Sequence, residues 1–210
     1  MTSQRTRARM VERLREKGIK NDAVLKAMAA VPRHVFVEEA LASRAYEDTA
    51  LPLGMGQTIS QPFIVARMIE LLLNGRSGLG RTLEIGAGCG YQATVLAQLT
   101  KEVFAIERLA PLIEKAKVNM RTLQQFNVRL KHADGQLGLP EGAPYDSIIV
   151  AAAGIGIPPA LLSQLAVGGR LVLPVGAQEQ YLSLVERTPQ GFTETRLDTV
   201  RFVPLLSGTQ

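Results

Sequence analysis

Leu83-Glu84-Ile85-Gly86-Ala87-Gly88-Cys89-Gly90-Tyr91 decides the fold. Thr82 to Ile85 predicts a short buried strand, the alternate glycines predict a tight turn, and Gln92 to Leu99 predicts a helix. Strand, glycine turn and helix open a nucleotide-binding βαβ unit. Glycine suits the turn because backbone can then meet a ligand with no Cβ between them. A dinucleotide loop needs G-x-G-x-x-G, but here the third glycine arrives one residue early and Tyr91 stands where that motif needs glycine. The plain alternative is a glycine-rich turn that holds no ligand.

Lys101 to Glu107 predicts the next strand and ends in an acid. Glu107 follows the first glycine by roughly twenty residues, the window in which such folds set a carboxylate against ribose hydroxyls. One carboxylate can accept from both hydroxyls at once. The competing reading is a solvated acid at a strand end.

The chain has 210 residues, 46% of them hydrophobic, which suffices for one sizeable core. No apolar run approaches a membrane span. Met1 to Lys20 is studded with arginines and lacks a signal-peptide core. Cys89 is the single cysteine, and His34 and His132 lie far apart, so no metal spacing is visible. A reducing cytoplasm is the expected setting. The net charge of +5 and a pI near 9.6 suit nucleic acid, but basic surfaces are also common on soluble proteins.

In chain order, Ser3 to Glu16 predicts a helix capped by Ser3, with Met10 and Leu14 on one face and Gly18 at its end. Its arginines read as a solvated face in preference to an RNA patch. Asp22 to Ala30 predicts a second helix, stopped before Pro32. An irregular segment, Val31 to Asp48, leads to Ala50 to Pro62, a loop rich in glycine and proline that also carries Gln57, Thr58 and Ser60. Ser60 then precedes a helix over 61–73, so it is read as that helix's N-cap and as a candidate for holding a carboxylate there. Pro111 to Gln125 predicts a helix, Asn127 to His132 a third strand, Ala143 to Ala153 a fourth, Pro159 to Leu165 a helix and Arg170 to Val175 a fifth strand. Tyr181 to Arg187 and Glu194 to Val200 predict antiparallel strands. Asp134, at the end of the third strand, would face the ligand side of a parallel sheet, where it either accepts from an adenine amino group or serves as a turn aspartate before Gly135. Apolar strands alternating with helices give an α/β fold with a mostly parallel sheet.

These residues resemble protein-L-isoaspartate O-methyltransferases of the bacterial type, within the S-adenosylmethionine (SAM)-dependent methyltransferases. E-x-G-x-G-x-G after a strand is similar to the first motif of that superfamily. The more specific resemblance lies in V-P-R-H-V-F-V (31–37), L-P-L-G-M-G-Q-T-I-S-Q-P (51–62), A-P-Y-D-S-I-I-V (143–150), Q-L-A-V-G-G-R-L-V-L-P-V-G (164–176) and R-F-V-P-L (201–205). It covers nearly the whole chain. It implies a Rossmann-like sandwich: a mostly parallel seven-stranded sheet, helices on both faces, an N-terminal helical extension over 1–60 and a methyltransferase core over 61–210, forming one domain overall. The last two strands are expected to exchange the usual methyltransferase order.

The implied activity is methyl transfer from SAM to the α-carboxylate of isoaspartyl residues in damaged proteins and peptides, which opens repair through a succinimide. By the resemblance Ser60 falls on the active-site serine, and Thr58, Ile59, Ser60 and Val203 on substrate contacts. Glu84, Gly86, Gly88, Gly90, Glu107, Asp134 and Gly135 fall on the cofactor site. Cys89, Ala133 and Ala151 depart from the residues usual there. A cytoplasmic monomer with no nucleic-acid or membrane partner and no metal is expected. The alternatives are a SAM-dependent methyltransferase of RNA or of another small carboxylate. The chain lacks an Asn-Pro-Pro-aromatic segment and a Pro-Cys pair, which weakens the nucleic-acid reading. Cys89, at a helix N-terminus, is expected to ionise easily.

Overall fold

A computed structural model describes residues 4–210. The Ser3 cap lies outside the described residues. Helix α1 (Gln4–Glu16) buries Met10 and Leu14, and Gly18 ends it at a φ of +105°. Helix α2 (Asp22–Ala30) is capped by Asn21, whose side chain accepts from the N–H groups of Ala23 and Val24. Helix α3 (Pro62–Leu73) carries seven buried residues, among them Val65, Met68, Ile69 and Leu72. These three helices share one hydrophobic core with Tyr91, Val95 and Leu96, so the described residues before 61 pack as a shell on the sheet.

The 51–62 stretch, expected as a loop, contains a hairpin. Strands β1 (Leu51–Gly54) and β2 (Gln57–Ile59) pair antiparallel. The turn between them places Met55 and Gly56 at φ of +52° and +68°, the positive values that a tight two-residue hairpin turn requires.

The main sheet is ordered β5 (Val128–His132), β4 (Val103–Glu107), β3 (Thr82–Ile85), β6 (Tyr145–Val150), β7 (Leu165–Val175), β8 (Gln180–Thr188), β9 (Gly191–Val200). Only β8 runs against the others, pairing antiparallel with β7 and β9. The seven-stranded, mostly parallel α/β sheet is therefore as expected, and its last strands follow one another as a meander. Helices α4 (Tyr91–Leu96) and α5 (Ala110–Thr122) contribute to the core that holds α1 to α3. Helix α6 (Pro159–Gln164) buries Leu161 in a second core with Ile148, Leu171 and Leu173.

Several boundaries differ from the sequence reading, those of the fourth and fifth strands among them. The fourth strand stops at Val150 because residues 153 and 154 leave its ladder to bridge Pro204 and Val175. The fifth begins at Leu165 rather than Arg170, and Gly168-Gly169 lies inside a bulge where the register with β6 slips.

The strand order reverses at β3, with β4 on one side and β6 on the other. Parallel sheets bind ligands beyond the carboxyl ends of their strands at such a point.

Candidate active site

A cleft opens at that switch point, bounded by the turn after β3, residues 57–60 and residues 203–206. One wall is the glycine turn after β3. Gly86, Gly88 and Gly90 carry φ of +83°, +55° and +87°. The backbone is anchored from below, because Gly86 N and Ala87 N both donate to Ile106 O, at 2.9 and 3.0 Å. Glu107 braces the same turn: Oε2 accepts from Gly88 N at 2.9 Å and Oε1 from Leu109 N at 3.0 Å. Its carboxylate still lines the cleft.

Glu84 and Gln92 form the floor, and both line the cleft. Glu84 is fully buried, and neither carboxyl oxygen has a hydrogen-bond partner; Gln92 Nε2 is likewise unpartnered. Burial pushes the Glu84 carboxyl up to about 8; the neighbouring Gln92 amide pulls it back, though not in a well-formed hydrogen bond, and the Glu107 charge adds to the rise. Buried polar groups are almost always satisfied, so orphaned atoms in a cleft wall mark a place where a polar ligand belongs.

The opposite wall is β2 and the residues after it. Thr58 is exposed, Ile59 is buried and Ser60 is half-buried, and all three face the cleft. Ser60 is not the N-cap of α3. That helix begins at Pro62, Gln61 stands at the cap without a side-chain bond, and the free Phe63 N–H is taken by Asp48 Oδ1 at 2.8 Å. The capping carboxylate thus comes from fifteen residues away, which leaves the Ser60 hydroxyl free. Burial pushes the Asp48 carboxyl up, but Lys17, Phe63 N and Gln61 outweigh it and hold it below its ordinary value.

Residues 203–206 close the mouth. Val203 O accepts from Ala153 N and Leu205 N donates to Ala153 O, each at 2.8 Å. Gly135 completes the rim, where a side chain would collide with Ile85 and crowd Leu205.

Ser60, Thr58, Ile59, Glu84, Gly86, Gly88, Glu107, Gly135 and Val203 therefore meet in one cleft. Two expected cofactor residues stand behind it. Gly90 starts α4. Asp134 Oδ1 accepts from Gln136 N at 2.8 Å and Oδ2 from Gly208 N at 2.6 Å, so its carboxylate bends the chain after β5 and pins residue 208.

The Cys89 expectation is overturned. The thiol is buried, and burial pushes it up to about 11. Six residues of helix behind it do not offset that desolvation. The sequence reading also passed over Gln92 and Arg108, which line the cleft, and Arg33, which stands behind it. An arginine inside the apolar run Val31 to Val37 was the available signal for the last.

Residues 5–210 match the family model described as protein-L-isoaspartate(D-aspartate) O-methyltransferase (PCMT). A protein-L-isoaspartate O-methyltransferase from Dechloromonas aromatica (strain RCB) is 86% identical over 210 residues, spanning 100% of this chain and 97% of its own length. One of the same name from Azoarcus sp. (strain BH72) is 64% identical, spanning 98% and 95%. A solved structure named protein-L-isoaspartate O-methyltransferase aligns at a TM-score of 0.85 and 30% identity over 94% of this chain; the alignment spans 65% of that longer chain. A crystal structure from Plasmodium falciparum, assigned to the same enzyme and in complex with S-adenosyl-L-homocysteine, aligns at a TM-score of 0.84 and 26% identity, over 95% of this chain and 98% of its own.

Proposed function

The chain belongs to the protein-L-isoaspartate(D-aspartate) O-methyltransferase family, and from that premise we propose how its cleft divides the work. The enzyme transfers a methyl group from SAM to the α-carboxylate of L-isoaspartyl residues in damaged proteins and peptides. The ester then yields a succinimide, whose hydrolysis restores some normal aspartate.

On this reading the glycine-turn wall holds the cofactor. Glu107 accepts from the ribose hydroxyls, Gly86, Gly88 and Gly135 let backbone approach it, and Glu84 with Gln92 receives its charged amino-acid end. Gly90 and Asp134 keep the turn and the rim in shape. The orphaned atoms of Glu84 and Gln92 support the fit, since an amino-acid end brings an ammonium to donate to the Glu84 carboxylate and a carboxylate to accept from Gln92 Nε2. SAM supplies an electrophilic methyl on its sulfonium.

Thr58, Ile59, Ser60 and Val203 hold the substrate. An α-carboxylate has a pKa of about 3.5, so it arrives as the anion and needs no general base. The two histidines are engaged elsewhere, His34 with the Tyr46 hydroxyl and His132 with the carbonyls of Arg108 and Gln210. What the chain must do is orient that anion and keep water from it. Ser60 donates its hydroxyl to one carboxylate oxygen and leaves the other to react. The observation that carries this assignment is the meeting of the 58–60 wall and the glycine-turn wall across one cleft.

The chain works in the cytoplasm as a single-domain monomer, on polypeptide rather than nucleic acid. No helix among the described residues is long and apolar enough to cross a membrane, and one hydrophobic core unites residues 10–59 with the sheet. Sedimentation at assay concentration tests the monomer.

Transfer of labelled methyl from SAM to a peptide with isoaspartate, against the same peptide with aspartate, tests the reading. The two differ by one methylene moved from side chain to backbone, so wild type labels the first and leaves the second largely unlabelled. Equal labelling of both, or labelling of RNA instead, overturns it. Ser60→Ala lowers turnover far more than SAM affinity if the serine orients the substrate.

A further inference from the structure

Arg33 is fully buried, yet among the described residues no carboxylate pairs with it. Asp48, an acid whose charge it feels, is already bound to Lys17, Gln61 and Phe63. The guanidinium instead donates to three backbone carbonyls: Nε to Ala45 at 2.8 Å, Nη1 to Ser60 at 2.9 Å and Nη2 to Thr49 at 3.1 Å. Its central carbon lies over the Tyr91 ring, 5.1 Å from the centroid. A buried charge destabilises unless fully hydrogen-bonded, so this one is held by a matching cage of carbonyls and a ring.

The cage explains how an irregular wall keeps its shape. Residues 45–50 belong to no strand, and Ser60 lies between the end of β2 and the start of α3. No ladder satisfies these carbonyls, and a rigid planar fork does so in one geometry. The Ser60 carbonyl is drawn to Arg33, and three residues further on Asp48 holds Phe63 N. The Ser60 hydroxyl has no partner among the described residues, so its place in the cleft is set by its backbone alone. Tyr91 directly follows Gly90, so the same guanidinium sits over the first residue of the helix behind the cofactor wall.

We infer that Arg33 is a positioning residue for methyl transfer: its buried guanidinium fixes the Ser60 backbone and locks the substrate wall to the cofactor wall. The inference rests on the reading that Ser60 orients the substrate carboxylate. A misplacement of about 1 Å can cost on the order of a hundredfold in rate. Lysine keeps the charge but has neither the fork nor the flat face.

The test is a double-mutant cycle of Arg33→Lys and Ser60→Ala, with SAM stoichiometry and Kd from calorimetry and turnover expressed per SAM-binding site. Arg33→Gln, which keeps a short planar donor, is the second variant if the lysine form folds poorly. Arg33→Lys lowers kcat by about tenfold or more, with the SAM Kd within about threefold. In the Ser60→Ala background the same substitution changes kcat little, because the group it positions is gone. Wild-type kcat per site in either Arg33 variant overturns the inference, as does full additivity of the two substitutions, which is what a merely structural role gives. Wild-type turnover in Ser60→Ala alone refutes the serine assignment itself, and is seen independently of Arg33.

Discussion

The two walls of the cleft are built by opposite means. The cofactor wall is the end of a parallel ladder. Thr82 to Ile85 pairs with Val103 to Ile106 on one side and with Ser147 to Val150 on the other, and the glycine turn hangs its N–H groups on the next carbonyl of the same ladder. The substrate wall has a three-residue strand and turns too short to satisfy themselves, so buried side chains do it, Arg33 for the carbonyls and Asp48 for the helix start. On the proposed reading, shape discrimination between isoaspartate and aspartate falls to the second wall. A regular ladder offers a generic cradle, whereas an irregular segment held by unique side chains has a shape of its own.

Substitutions sharpen the contrast, because the cofactor wall answers in stability and affinity and the substrate wall in turnover. The largest effect concerns Glu84. Burial raises its carboxyl to about 8 from an ordinary 4.5, so the folded state holds this proton more tightly than the unfolded chain does. The stability tied to it is complete below the ordinary value and is lost as pH climbs towards 8, by up to about 1.4 kcal/mol per unit. Urea unfolding of the ligand-free protein between pH 5 and 8 should therefore show a steeper fall in wild type than in Glu84→Gln. Parallel pH slopes would mean that the buried acid is no such burden.

Next comes Gly90→Ala. The residue sits at a φ of +87°, and an added Cβ would lie 2.7 Å from Met120 Cε and 3.2 Å from Ala116 Cβ. Left-handed strain and overpacking together cost about 2–4 kcal/mol, read as a lowered denaturation midpoint. A midpoint within error of wild type would show that the turn is looser than the ladder argument requires.

Glu107→Ala follows, weakening SAM by about 1.5–3 kcal/mol in calorimetry if the carboxylate holds both ribose hydroxyls. Unchanged affinity removes Glu107 from the cofactor site and leaves it as a brace for Gly88 and Leu109.

The smallest effect is on the substrate wall. Asp48→Ala deprives α3 of its distant cap and costs about 1 kcal/mol of stability, but the resulting freedom at residues 60–63 lowers kcat more than that loss predicts. A stability loss with full turnover per folded molecule would make the two walls alike after all.

The sequence determined the βαβ unit from Thr82 to Glu107, the parallel order of most of the sheet and the family, because these rest on local rules: apolar runs, glycines where φ must be positive, an acid at a strand end. Even there the local rule had a limit. Cys89 was placed correctly at the turn, but its chemistry depended on how deeply the rest of the chain buries it. Only the tertiary structure decided that Asp48 rather than Ser60 starts α3, that Asp134 pins residue 208, that Glu84 meets Gln92 with neither satisfied, and that Arg33 holds Ser60. In each of these a side chain meets a partner that periodicity does not reach. The hydrogen bond between Arg33 and Ser60, twenty-seven residues apart, leaves no period in the sequence, since what selects it is a backbone carbonyl that every residue carries alike.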